Sequence, residues 1–248
     1  MLAVDAGNSN TRFVRFADGT IQARRTLPTA ELVAEAAVDA LAAIGVDAAG
    51  SQLWIATVVP SATKTLVAAA AAARMNARII VPGVDEIIPH DLLAPESTGV
   101  DRLLSARAAG TLTGDKRDYL IIQCGSAATV DLVEGGVFRG GFILPGPKLW
   151  LSAMGKAAQL PDLSDAELDW ETGEPGRSTR EALLHGVAAG LPGAVSNAAR
   201  LLGGGTPKPA VVTGGWGEYM ARQLGSNSVY FPDLVLLGIH SFAASMVV

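Results

Sequence analysis

Two glycine-containing segments of the sequence each follow a short apolar run and are rich in small polar side chains. They occupy residues 5–12 and residues 123–129. A glycine between two strands lets backbone N–H groups approach an anion without an intervening Cβ, so Gly7 and Gly125 predict sites for a phosphate group. The neutral donors and the cation of the first segment are Asn8, Ser9, Asn10, Thr11 and Arg12. A hairpin turn whose polar side chains only satisfy its own backbone is the open alternative.

Asp5 ends the first apolar run and is the residue of that segment suited to a metal ion. A carboxylate there can hold a divalent cation directly or through water, and nucleotide phosphates require such a cation. Ser126 gives the second segment a hydroxyl donor, and two such loops can grip a polyphosphate from both sides. The turn of Thr213, Gly214 and Gly215 follows another apolar run and would let a nucleotide base or ribose lie against bare backbone.

A third polar segment, residues 99–102, begins a predicted helix. An aspartate in the first helical turn is stabilised by the helix dipole, typically by ~0.3–1 kcal/mol, so a capping role is one explanation of Asp101. The same location suits a general base, with Arg102 beside it to bind an anionic group. These residues alone leave both roles open.

The composition excludes other classes of protein. The chain has 248 residues and a formal net charge of −5, with no cationic block, so we expect no nucleic-acid partner. Its one cysteine, Cys124, cannot form an intrachain disulfide, and its three histidines are too scattered for a metal cluster. No apolar run approaches the ~20 residues of a membrane span and no signal segment is recognisable, which indicates a cytoplasmic protein without a membrane partner. The P-loop motif and the G-x-G-x-x-G dinucleotide motif are both missing.

Strands alternate with helices along the sequence, which predicts an α/β fold. The succession of strand, glycine loop, strand and glycine turn occurs twice. Gly7 and Thr11 in the first occurrence have the same spacing as Gly125 and Thr129 in the second. This repetition predicts an internal duplication.

The duplication predicts two related lobes with a cleft between them. The first lobe would comprise residues 1–114 and the second residues 115–248. In the second lobe, a helix that begins near Ser178 is expected to be interrupted at Pro192, because proline lacks the backbone N–H that a helix interior needs.

Six segments of the chain, in the same order, resemble the motifs of type III pantothenate kinases, which are members of the acetate and sugar kinase/Hsp70/actin superfamily. Residues 5–12 resemble the first phosphate motif D-x-G-N-T-x-T, residues 99–102 match the substrate motif G-x-D-R, and residues 123–131 resemble the second phosphate motif D-x-G-T-A-x-T-x-D. The others are residues 140–146 for G-G-x-I-x-P-G, residues 176–179 for G-x-N-T and residues 213–215 for the adenosine-side glycines. Each segment is short, but six in the family's order are specific.

The resemblance implies duplicated actin/ribonuclease H-like lobes, each a mixed sheet flanked by helices. It also implies ATP-dependent phosphorylation of pantothenate to 4′-phosphopantothenate, the first step of coenzyme A biosynthesis, by a homodimer. Asp101 would be the general base, and Asp5 would organise Mg²⁺ and the ATP phosphates. The other ATP-binding residues that it implies are Gly7, Asn8, Ser9, Asn10, Thr11, Arg12, Gly125, Ser126, Thr213, Gly214 and Gly215. The implied pantothenate-binding residues are Gly99, Val100, Arg102 and Thr179.

The chain departs from the family pattern at two positions. Gln123 stands where the second phosphate motif has an aspartate that binds an activating monovalent cation, K⁺ or NH₄⁺, so a weakened or lost cation site is expected. Leu92 stands where a tyrosine often contacts pantothenate. Two other functions therefore stay open: a catalytically impaired binding or regulatory protein, and a kinase of the superfamily that acts on another hydroxy acid.

Overall fold

The first apolar run forms strand β1 (Leu2–Ala6), which is buried along its whole length at the centre of a five-stranded sheet. A strand covered on both faces needs such a continuous apolar run. The structure is a computed structural model that describes residues 1–45, 50–114 and 117–246. The chain forms two compact units: unit 1 consists of Met1–Leu112 and Asp233–Val248, and unit 2 consists of Thr113–Pro232.

The sheet of unit 1 is mixed. Its other strands are β2 (Asn10–Ala17), β3 (Thr20–Pro28), β4 (Gln52–Thr57) and β5 (Asn76–Ile79). The order across the sheet is β3-β2-β1-β4-β5, with β1 antiparallel to β2 and parallel to β4. Because β1 and β4 run parallel, the loops that follow them lie at the same edge of the sheet.

Three helices of unit 1 follow its strands in the chain: α1 (Ala34–Ala43), α2 (Pro60–Ala72) and α3 (Val100–Leu112). The alanine-rich faces of α1 and α2 pack on a core that contains Val4, Phe13 and Ile55. Proline at the start of α2 suits the first helical turn, where its missing N–H would have no partner.

Unit 2 repeats this arrangement. Its strands are β6 (Tyr119–Cys124), β7 (Ala127–Glu134), β8 (Val137–Pro145), β9 (Ala210–Thr213) and β10 (Ser228–Tyr230), and its helices are α4 (Pro147–Ala158), α5 (Thr179–Leu202) and α6 (Gly217–Leu224). The order is β10-β9-β6-β7-β8, with β6 antiparallel to β7 and parallel to β9. The same strand order and directions in both units confirm the predicted α/β fold with two duplicated lobes, each a mixed sheet flanked by helices.

Helix α5 is longer than the sequence predicts. The interruption expected at Pro192 is wrong, since the helix continues through it without a break. The proline removes one backbone hydrogen bond, but Leu191, Pro192 and Val195 are all buried, and their apolar burial offsets that loss.

The last helix, α7 (Leu234–Ser245), packs in unit 1, whereas the sequence assigned it to the second lobe together with the rest of residues 115–248. It lies so close to α3 that a Cβ on Gly238 would overlap the backbone of Leu104. Phe242 of α7 also meets Trp54 of β4 edge-on, with ring centroids 6.0 Å apart. The apolar face of α7 is therefore buried against the sheet that contains β1.

Two further sequence expectations concern the lobe boundary and membrane spans. The predicted boundary between residues 114 and 115 falls beside Asp115 and Lys116, which lie outside the described residues. Among the helices of the described residues, none combines the length and the apolar character needed to cross a lipid bilayer.

Candidate active site

The first predicted phosphate loop is a three-residue connection, residues 7–9, between β1 and β2. The N–H of Gly7 donates to the carbonyl oxygen of Asn10 at 3.0 Å and closes the turn. A Cβ built on Gly7 would meet nothing nearer than that oxygen, at 3.6 Å, and the residue does not adopt a left-handed conformation. Neither the turn nor local packing therefore requires a glycine here. The space that a Cβ would fill is open to an outside group.

Asp5 and Arg12 form an ion pair next to this loop. They lie opposite each other in the register of β1 and β2, and Nη2 of Arg12 donates to Oδ2 of Asp5 at 2.7 Å. The side chain of Asp5 is 6% exposed and that of Arg12 is 29% exposed. Burial raises the pKa of Asp5, and the guanidinium of Arg12 works against that rise. The result is a buried carboxylate at the loop with a cation already beside it.

Asp101 lies in the first turn of α3, and its Oδ1 accepts a hydrogen bond from the backbone N–H of Arg102 at 2.9 Å. A Cβ built on Gly99 would lie only 2.5 Å from this Oδ1. A side chain at residue 99 would therefore displace the carboxylate. The observed position of the Asp101 carboxylate therefore requires a glycine at residue 99. The sequence alone did not reveal this steric requirement.

The segment that carries Asp101 lies beside the carboxyl ends of β1 and β4. The same Cβ on Gly99 would be 3.7 Å from Cγ1 of Val58, the residue that follows β4. The N–H of Val58 in turn donates to the carbonyl oxygen of Ala6, the last residue of β1. Unit 1 thus brings Asp101 to the same edge of the sheet as Asp5. Val100, the residue before Asp101, is buried, so its side chain is not available to a ligand.

The second loop, residues 125–126, is one residue shorter than the first. In the strand register Thr129 lies opposite Gln123, and its hydroxyl donates to Oε1 of Gln123 at 3.2 Å. In the first hairpin the residue opposite Asp5 is Arg12, not Thr11. The equal spacing from glycine to threonine in the sequence is therefore not a structural equivalence, because the shorter loop shifts the register by one residue.

Two glycines of unit 2 are required by the chain around the second loop. A Cβ on Gly146 would overlap the carbonyl oxygens of Gly125 and Ser126, and the N–H of Gly146 donates to that oxygen of Ser126 at 3.0 Å. Gly214 has φ +97° and a Cβ on it would overlap the backbone of Cys124. Packing does not require a glycine at residue 125, since the atom nearest to a Cβ built there would be 3.6 Å away. Sequence reasoning gave Gly146 no role, although it ends the segment that resembles G-G-x-I-x-P-G.

Trp216 contacts the second loop, and sequence reasoning missed it. Its indole N–H donates to the carbonyl oxygen of Gly125 at 3.4 Å, and its ring is buried. The ring stacks on that of Trp170 with centroids 5.2 Å apart, and Trp170 stacks in turn on Tyr219. The signal available in the sequence was its position directly after the predicted turn that ends at Gly215.

The remaining predicted residues of unit 2 lie at the ends of elements. Thr213 is buried at the end of β9 and lies opposite Gln123 in the parallel register. Gly215 has open space where a Cβ would be. Thr179 is the first residue of α5, whose N-cap Ser178 accepts from the N–H of Glu181 at 3.2 Å.

Comparisons with known proteins identify the family of the chain. The sequence model of a family described as type III pantothenate kinase matches residues 1–200. The type III pantothenate kinase of Zymomonas mobilis subsp. mobilis is 33% identical, and the match covers 96% of this chain and 90% of that protein.

Two solved structures share the fold of the chain. A Baf family protein from Campylobacter jejuni has a TM-score of 0.63 at 18% identity, with 99% of this chain and 98% of that one covered. The activator of the 2-hydroxyisocaproyl-CoA dehydratase from Clostridium difficile, with bound ADPNP, has a TM-score of 0.53 at 14% identity, with 99% and 96% covered.

Proposed function

This chain belongs to the type III pantothenate kinase family, and from that premise we propose that it transfers the γ-phosphoryl group of ATP to pantothenate. The products are 4′-phosphopantothenate and ADP, and the reaction is the first step of coenzyme A biosynthesis. Family membership supports the reaction.

The observation that carries the proposal is the position of Asp101 at the same sheet edge as Asp5 and the first loop. Asp101 acts as the general base: its carboxylate takes the proton of the primary hydroxyl of pantothenate. The hydroxyl oxygen then forms the new bond to the γ-phosphorus as the bond to ADP breaks. A positioned base contributes about 10²–10⁴-fold to such a rate.

The ATP phosphates are assigned to neutral donors of both loops and to Arg12. From unit 1 these residues are Gly7, Asn8, Ser9 and Asn10, with the buried Thr11 behind them, and from unit 2 they are Gly125 and Ser126. Thr213, Gly214 and Gly215 are assigned to the adenosine side of ATP. The site fits such a ligand, because the buried carboxylate of Asp5 suits a cation and Gly7 leaves the space of a Cβ open. Mg²⁺, which Asp5 would hold together with the phosphates, supplies neutralisation of the negative charge on the transferred group.

Pantothenate is assigned to the start of α3 and to Thr179. The guanidinium of Arg102 suits the carboxylate of pantothenate, since arginine binds carboxylates with paired hydrogen bonds. Gly99 and the backbone of Val100 line the same turn. The proposal includes a homodimer in the cytoplasm, and it includes little dependence on K⁺ or NH₄⁺ because Gln123 offers no charge.

Replacement of the proposed base tests this function. Asp101→Asn is expected to lower turnover by about 10²–10⁴-fold in a coupled ADP-release assay with pantothenate. ATP affinity, measured by calorimetry, is expected to stay nearly unchanged. Asp39→Asn, which removes an exposed carboxylate of α1, is the matched control and is expected to behave as wild type.

The outcomes separate the proposal from its alternatives. A wild-type kcat in Asp101→Asn would refute the assignment of the base. A wild-type protein that binds ATP and pantothenate without releasing ADP would instead be a binding module. Turnover with a different hydroxy acid, and none with pantothenate, would identify another kinase of the superfamily.

A further inference from the structure

We propose that Thr29, the residue after β3, positions the first phosphate loop by holding two of its carbonyl oxygens; this rests on the proposed function of that loop. The hydroxyl of Thr29 donates to the carbonyl oxygen of Gly7 at 2.7 Å, and its backbone N–H donates to the carbonyl oxygen of Ser9 at 2.9 Å. Thr29, which lies outside the loop, thus binds the carbonyl oxygens of the first and third residues of this three-residue connection.

The direction of these two bonds decides what the loop presents to a ligand. The described residues contain no cis peptide bond, and in a trans peptide group the C=O and the following N–H point in opposite directions. With the oxygens of Gly7 and Ser9 turned toward Thr29, the N–H groups of Asn8 and Asn10 point away from it. Thr29 therefore sets which side of the loop carries donors and removes two partly negative oxygens from that side.

Thr11 extends this arrangement into the core. Its hydroxyl oxygen lies 3.0 Å from that of Thr29, and its side chain is fully buried. A hydroxyl has one proton, and that of Thr29 is already given to Gly7, so Thr11 must be the donor to Thr29. The chain Thr11 to Thr29 to Gly7 fixes the rotamer of each hydroxyl, and such chains strengthen their members. Thr11 accordingly acts on phosphate through Thr29 rather than by contact.

Thr29→Val tests the proposal, since valine keeps the shape and the backbone N–H but removes the hydroxyl. The expected result is an increase of about tenfold in the Kd for ATP by calorimetry and in KM for ATP, because a carbonyl loses its donor and the loop loses its fixed orientation. The kcat at saturating ATP is expected to change less than about threefold, because Asp101 is untouched. Thr29→Ser is expected to restore wild-type affinity.

Thr20→Val is the matched control. Thr20 also donates its hydroxyl to a hairpin carbonyl, that of Ala17 at 3.0 Å, but at the opposite end of the same pair of strands. This variant is expected to bind ATP as wild type does. Equal losses of affinity in Thr20→Val and Thr29→Val would reduce the effect to general loosening of the sheet and overturn the proposal.

Amide NMR of the wild-type protein gives a test that does not depend on folding of a variant. On addition of MgATP the N–H resonances of Asn8 and Asn10 are expected to shift most, and that of Gly7 less because it already donates to Asn10. Unchanged Asn8 and Asn10 resonances, or unchanged ATP affinity in Thr29→Val, would overturn the role of Thr29. ATP binding without pantothenate turnover would refute the proposed function and leave this role intact, while absence of ATP binding would refute both.

Discussion

The first glycine loop is held by charge and by hydroxyl groups, whereas the second is held by an aromatic ring and by close backbone packing. At the base of the first loop Asp5 pairs with Arg12, and at the equivalent register of the second Gln123 pairs with Thr129. Thr29 binds the carbonyl oxygens of the first loop, and Trp216 and Gly146 bind those of the second. Strand order is common to the two units, but the means of fixing the loop is not.

This difference indicates which unit contributes the charged groups of the proposed reaction. The charged members of the proposed site, which are Asp5, Arg12, Asp101 and Arg102, all belong to unit 1. The proposed site residues of unit 2 are glycines, hydroxyl residues and one glutamine. Phosphoryl transfer depends on neutralising charge in the transition state, which neutral groups do less well. Changes to these charged residues should therefore lower turnover, and changes to the neutral residues that contact ATP should mainly lower ATP affinity.

The largest expected difference between the two loops comes from neutralising the buried carboxylate of the first loop. Asp5→Asn keeps the size of the side chain but removes its charge and with it the ion pair to Arg12. We expect kcat to fall by about 10²-fold or more in the ADP-release assay. Gln123→Met at the equivalent position is the comparison variant, and we expect its kcat to stay within about threefold of wild type. Similar losses of kcat in both variants would contradict the inference that turnover depends on the charged residues of unit 1.

Local sequence patterns predicted the alternation of strands and helices and the positions of the two loops, because both are determined by neighbouring residues. The buried strands β1 and β6 are continuous apolar runs, and each ends at a glycine loop. The α7 helix was assigned to the wrong unit because its partner, α3, lies more than a hundred residues earlier in the chain. Sequence spacing carries no information about that packing.

The sequence also did not reveal which residues bind the carbonyl oxygens of the two loops. Thr29 and Trp216 reach their loops from distant positions in the chain, and neither belongs to a recognisable motif. The equal spacing from glycine to threonine was misleading, since a loop shorter by one residue moves Thr129 to the register position of Arg12. Its residue type and position singled out Asp101, and the resemblance assigned it as the general base, while its dependence on Gly99 is steric and needs coordinates.

An intermediate effect on ATP affinity is expected from alanine at Gly7, a glycine that the packing of the chain does not require. Gly7→Ala adds a methyl group into open space in a conformation that alanine tolerates, so stability should be unchanged or slightly higher. ATP affinity should fall by about tenfold, because the methyl group obstructs the approach of phosphate to the backbone. The Kd from calorimetry and the midpoint of urea unfolding measure the two quantities.

Gly146→Ala is the counterpart in the second loop and should show the opposite pattern. Its methyl group would overlap the carbonyl oxygens of Gly125 and Ser126, so we expect the free energy of unfolding to fall by about 1–3 kcal/mol. Unchanged unfolding of Gly146→Ala, or destabilised Gly7→Ala, would show that the distinction between glycines required by the chain and glycines left open for a ligand is wrong.

The smallest expected effect is the response to monovalent cations, and it tests the neutral character of the second loop directly. The amide oxygen of Gln123 accepts from Thr129 and brings no charge, so replacing Na⁺ by K⁺ should raise the wild-type rate by less than about twofold. Gln123→Asp puts a carboxylate opposite Thr129, as Asp5 stands opposite Arg12, and the added negative charge attracts a cation. We expect this variant to need K⁺ or NH₄⁺ for full turnover, and Gln123→Asn, which lacks the charge, to remain insensitive. Strong K⁺ activation of the wild-type enzyme would mean that a neutral second loop is sufficient for a cation site. The two loops would then differ in the residues that bind their carbonyl oxygens and not in their effect on cation binding.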